Sequence, residues 1–254
     1  MSKEDIENFR GYYTGVGSRE TPLHVLFLMS KIAMIFEKKG FILRSGCATG
    51  ADAAFEDALE YPDRTAEIYI PNEDFPINMG TTKKAHYLIP MEIHGKGSRG
   101  LYRQAMRLIH EKKIHKAWEN CSGKTIDLHN RNMFQVLGVD LKTKSNFTIC
   151  YTSGGEKVYA DTKNGTGGTA TAINASDIFG LEVFNLGKKE DYLRLLTFVE
   201  KNEQYVNYDR LNKMVVRSSL NPQKKSYEDL MPIINKEEAR RFPELKNTSK
   251  KLKL

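Results

Sequence analysis

Cysteine is sparse in this chain, and what there is lies scattered. Cys47, Cys121 and Cys150 are odd in number, far apart and form no CxxC pair. That pattern argues against a disulfide-stapled scaffold, offers no zinc-motif spacing and fits a reducing, cytoplasmic compartment. The histidines lack HxxxH or HExxH spacing, so no metal is expected, and no motif points to a resident cofactor. A GxSxG elbow is missing, and no cysteine has an adjacent basic partner that would mark a nucleophile. Apolar runs fall short of the roughly 18 residues of a membrane span. The charged start MSKEDIENFR lacks an apolar signal region, so neither secretion nor a membrane partner is expected.

What is present suits a globular chain with a sizeable core: 254 residues, 40% of them hydrophobic, without low-complexity tracts. The net charge of +7 is concentrated at one end. Residues 211–254 hold 11 Lys/Arg against 5 Asp/Glu, whereas the other 210 residues hold 28 against 27. A basic extension over 206–254 is therefore expected after a domain spanning 1–205. It reads either as a solvated end or as a contact for single-stranded nucleic acid or another polyanion.

Strand-like and helix-like segments alternate along the domain. GYYTGVG (11–17) reads as a strand ending in glycines, and 22–39 as an amphipathic helix closed by Gly40. Phe41–Arg44 is a second strand, Ala51–Leu59 a helix and Ala66–Ile70 a third strand. Residues 72–125 yield only a helix near 100–113. Helix 128–141, strand 147–152, a helix from Thr169, strand 181–186 and a helix over 191–203 follow, and the pattern then decays. This alternation predicts an α/β, Rossmann-like, mostly parallel sheet with helices on both faces. Ligands of such folds bind outside the carboxyl ends of the strands.

Three glycine-rich turns link strands to helices. Gly15, Gly17, Ser18 and Arg19 form the first; its glycines allow close backbone approach, and Arg19 offers a bidentate partner for phosphate. Ser45, Gly46 and Gly50 belong to the second, with Asp52 entering the next helix and Glu56 on the same helical face. Asp52 either stabilises the helix start or orients a ribose hydroxyl or water, and the two carboxylates together are candidates for acid–base work. Gly165, Thr166, Gly167, Gly168 and Thr169 form the third, read as a phosphate or ribose cradle or as a linker with an N-cap threonine. His129-Asn130-Arg131-Asn132 opens a helix with a polar cluster that reads either as a surface cap or as a donor set for a base or phosphate. His115 and the lone Trp118 offer a stacking face for a base or pack in the core.

Tyr13–Arg19 followed by Leu43–Asp52 resembles the DNA-processing protein A (DprA) family and the wider SLOG superfamily that joins it to the Lonely Guy proteins. There, a GSR turn and an SGxAxGxD turn shape one nucleotide pocket, and Gly165–Thr169 resembles the later glycine-threonine motif. Arg131–Gly138 resembles an RNxxQVLG segment of DprA-like bacteriophage proteins, to which the chain is most similar; a phage origin would place it in the host cytoplasm. The resemblance covers roughly residues 11–200. It implies a binder of a phosphate-bearing nucleotide or nucleotide-derived small molecule, with Arg131 and Asn132 approaching the three turns. It implies two alternatives as well: a self-associating single-stranded-DNA binder, and an N-glycosidic hydrolase or transferase on a nucleoside phosphate. The position of the Lonely Guy catalytic glutamate is Ala172, so hydrolysis would need Asp52, Glu56 or Asp161 in its place.

Overall fold

A computed structural model describes residues 9–72, 75, 88–90, 95–163, 167–217 and 225–243. Six strands form one sheet: β1 (Gly11–Gly15), β2 (Phe41–Ser45), β3 (Ala66–Ile70), β4 (Leu88–Pro90), β5 (Phe147–Cys150) and β6 (Glu182–Asn185). Their order is β4-β3-β2-β1-β5-β6, and every pairing is parallel. The helices are α1 (Leu23–Lys38), α2 (Ala51–Glu56), α3 (Pro62–Thr65), α4 (Gly95–Glu111), α5 (Lys124–Leu137), α6 (Thr169–Ile178), α7 (Lys189–Glu200), α8 (Tyr208–Arg217) and α9 (Tyr227–Arg241). The α/β, Rossmann-like expectation holds. β4 is the strand the sequence did not reveal; it is three residues long and ends in a proline, which only the sheet edge tolerates.

Alternation along β1 sorts the core into two layers. Tyr13 packs with α1, α2, α7 and α9 on one face. On the other face the Thr14 hydroxyl donates to the Gln135 carbonyl of α5 at 2.7 Å and lies 2.9 Å from Ser145 Oγ. The second layer, built from α4, α5 and α6, carries unusual polarity. Arg44, only 1% exposed, lies over the Tyr12 ring and donates from Nε to Glu67 Oε2 at 2.8 Å, while the Tyr69 hydroxyl donates to the same oxygen at 2.7 Å. A buried guanidinium survives there because its charge and its donors are both matched.

The expected decay beyond residue 205 is corrected. Helix α9 buries Tyr227, Leu230 and Ile234 in the α1-side core, joined by Phe242. Tyr227 meets Phe27 edge-on, and His24 Nδ1 lies 3.2 Å from Glu237. Arg241 donates to the Gly187 carbonyl at 2.8 Å. The lysines and arginines around them obscured a helical spacing of apolar residues, so part of the basic extension is core. Among the described residues no helix is long and apolar enough to cross a membrane.

Candidate functional site at the switch point of the sheet

The strand order reverses between β1 and β5, and in parallel α/β sheets ligands bind at the carboxyl ends of the strands at such a point. Past β1 the backbone continues along β5: Val16 N–H donates to Ile149 O at 3.1 Å and Ser18 N–H to Tyr151 O at 3.3 Å. Gly17 sits where two turns touch, since a methyl there would lie 2.6 Å from Ala51 Cβ. Gly50, at φ +87°, faces Arg19 Cα and Ser18 O, and Ala51 N–H donates to Ser18 O at 3.3 Å. The first and second turns are thus pressed backbone to backbone.

The inner N–H groups of these turns already hold carboxyl groups, and these are the protein's own. Asp52 Oδ2 accepts from Ala48 N–H at 3.4 Å, with the Gly17 N–H also directed at its carboxylate. Glu56 Oε1 accepts from Cys47 N–H at 2.8 Å, and Cys47 takes a left-handed φ of 59°. Both carboxyls are buried, and Arg131 Nη1 lies 3.5 Å from Asp52. Burial pushes the Asp52 carboxyl up to about 6, against the pull of Arg131, the Ala48 and Gly17 N–H groups and Arg19. Glu56 is held well above its ordinary range, first by burial and then by the adjacent Asp52 charge. One guanidinium therefore faces two carboxyls, and the pair retains a proton into the mildly acidic range.

Helix α5 ties the remaining pieces together. Arg131 donates to the Gly46 carbonyl, and Asn132 Nδ2 donates to the Gly168 carbonyl at 2.8 Å. Asn130 Nδ2 reaches the Tyr102 carbonyl of α4 at 3.1 Å. Of the polar cluster at the start of α5, Asn130, Arg131 and Asn132 each donate to a backbone carbonyl of a separate segment, and His129 meets the Thr171 hydroxyl. Arg131 Nε and both amide atoms of Gln135 are buried without hydrogen-bond partners among the described residues. Gly165 and Thr166 lie outside the described residues. Gly167 and Gly168 are exposed, and the N–H groups of Gly168 and Thr169, at the first turn of α6, have no acceptor among the described residues. Arg19 and Thr49 are exposed, and the Arg19 guanidinium has no ion pair among the described residues.

Comparison with protein-family models, curated proteins and solved structures returns no match.

The site therefore stands on its own geometry. Ser45, Gly46, Gly50, Asp52, Glu56 and Arg131 form a buried knot at the carboxyl ends of the strands, while Arg19, Thr49, Gly167 and Gly168 are exposed. Ala172 is wholly buried in the second core layer, so no carboxylate is available at that position. One grouping escaped the sequence reading. His115 and Cys121, from the segment between α4 and α5, meet His129 of α5, with one ligating atom from each within 4.8 Å of the others. Burial lowers the basicity of both imidazoles, that of His129 to about 4 with His115 as a second cause. The His115 and His129 rings meet at a tilt of 48°, centroids 3.9 Å apart, while Trp118 packs against the second core layer. The spacing of these three residues matches no metal motif, and only the fold of the intervening segment brings them together.

Proposed function

We propose that this chain binds a phosphate-bearing nucleotide or nucleotide-derived small molecule across the first, second and third turns. The observation that carries the reading is convergence: three turns far apart in sequence are tied to one sheet edge, by Ala51 to Ser18, Arg131 to Gly46 and Asn132 to Gly168. Phosphate would engage the exposed Arg19 and the start of α6, where the helix dipole favours an anion and the Gly168 and Thr169 N–H groups have no acceptor among the described residues. Asp52, Glu56 and Arg131 act beneath it as a strut that holds the first two turns together. This division of labour replaces a cradle made from the inner N–H groups, which Asp52 and Glu56 already occupy.

Calorimetric titration with a panel of nucleosides and their mono-, di- and triphosphates tests the reading. Phosphorylated members are expected to bind better than the nucleosides, and Arg19→Ala to weaken them by more than about tenfold, a loss typical of a charge-assisted contact. No binding across the panel overturns the proposal. Unchanged affinity in the variant removes Arg19 from the site. The single-stranded-DNA alternative rests on the charge of residues 211–254 and predicts affinity that falls steeply with salt. Its test is truncation after residue 243, because a cut at 211 would strip α9 out of the core.

A further inference from the structure

We propose that His115, Cys121 and His129 form a binding site for a zinc ion, with a fourth coordination position open to solvent. Zinc bonds imidazole nitrogen at about 2.0–2.1 Å and thiolate at about 2.3 Å, so tetrahedral ligands sit roughly 3.3–3.6 Å from one another. Cys121 Sγ is already 3.7 Å from His115 Nδ1, and the full set falls within 4.8 Å. Closing the remaining gap takes side-chain adjustments of about an ångström around a bound ion.

The surroundings of His129 orient it for this role. Its Nδ1 lies 2.8 Å from Thr171 Oγ1, on the first turn of α6, and Thr171 is fully buried. With Nδ1–H donating to that hydroxyl, the lone pair of Nε2 is left for a metal, the usual way an outer hydrogen bond fixes a histidine ligand. His115 and Cys121 are partly exposed, which gives the ion a path in and leaves room for a water as fourth ligand. Two imidazoles and one thiol with no carboxylate make a poor site for magnesium or calcium, which require oxygen donors, and a good one for a borderline-soft divalent ion. On binding, the Cys121 S–H bond breaks, its proton leaves to solvent and the sulfur electron pair forms the bond to zinc; no electrons are exchanged. The site is independent of the nucleotide reading, since none of its three ligands belongs to the turns.

The test uses the full chain stripped by a chelator and titrated with zinc against a chromophoric competitor, alongside cobalt(II) as a spectroscopic substitute. The expected result is one ion per chain with submicromolar affinity, and a cobalt spectrum with the visible bands of a tetrahedral site plus a thiolate charge-transfer band. Cys121→Ser should abolish the charge-transfer band, and His115→Ala or His129→Ala should weaken zinc by more than about a hundredfold. Thr171→Val, which keeps all three ligands, should cost about 10–100-fold in affinity. His110→Ala, an exposed histidine outside the set, should change nothing. Circular dichroism of each variant separates loss of the ion from loss of the fold. Zinc binding that survives Cys121→Ser unchanged, affinity no better than millimolar, a six-coordinate cobalt spectrum, or a preference for copper(I) over zinc would each overturn the assignment.

Discussion

A methyl group added at Gly46 would stand 1.3 Å from Arg131 Nη1, a distance no packing adjustment absorbs without moving the guanidinium. Gly46→Ala should therefore displace Arg131 and leave Asp52 and Glu56 buried without their counter-charge. Breaking a buried pair in this way costs about 3–5 kcal/mol, which urea unfolding at pH 7 would register. Asp52 makes a second prediction, this one with a sign. Its carboxyl is raised from 3.8 to about 6, so the native state holds that proton longer than the unfolded chain does. The associated stability is complete below pH 3.8 and disappears as pH rises through about 6. At about 1.4 kcal/mol per pKa unit, the loss is roughly 3 kcal/mol. Asp52→Asn should flatten stability between pH 4 and 6, and an unaltered profile would mean that Asp52 is ionised throughout. The sequence showed that a small-residue turn precedes Asp52 and that Glu56 shares its face. It did not show that both acids fold back onto the N–H groups of that turn, because the outcome depends on rotamers set by the buried Arg131.

Among the elements, α5 departs from a surface helix over its second half: every residue from His129 to Leu137 is buried. Over that stretch the helix is enclosed by the sheet, α4 and α6, and Asn130, Arg131 and Asn132 each donate to a different backbone carbonyl, while the Gln135 amide finds no partner among the described residues. The strand–helix alternation was legible because β1, β2, β3, β5 and β6 carry apolar runs bounded by glycine or proline. The enclosure of α5 was not, since a polar helix start looks the same at a surface. Helix α9 falls between these cases. Ser226 and Asp229 form a reciprocal capping box, the Ser226 hydroxyl accepting from Asp229 N–H at 3.1 Å and Asp229 Oδ2 accepting from Ser226 N–H at 3.2 Å. The cap and the spacing of Tyr227, Leu230 and Ile234 were both in the sequence, hidden among charges. Ser226→Ala should cost about 1 kcal/mol, seen as earlier melting and faster proteolysis after residue 225. Unchanged melting would indicate that α9 is held by its core side chains alone.

At the scale of the whole molecule, elements from the beginning and the end of the described chain, α1 and α9, pack together. Helix α1 packs against α2 and β2, which follow it directly, and against α7 and α9 from the last third of the sequence. Strand β1 shows the same long reach: it lies between β2, which ends at Ser45, and β5, which begins at Phe147. Half of its hydrogen-bonding edge thus waits for a segment made much later. In time rather than in space, this sets the order of assembly. β1–β2 with α1 can form as an early unit, and docking of β5 must bear the entropy of closing the long connection before any contact rewards it. Ile42→Val, in β2, should slow refolding, whereas Ile149→Val, in β5, should mainly hasten unfolding; each removes one buried methylene for about 0.5–1.5 kcal/mol. Until β5 arrives, β1 offers an open edge to any other chain nearby, so dilute refolding should recover more protein than concentrated refolding.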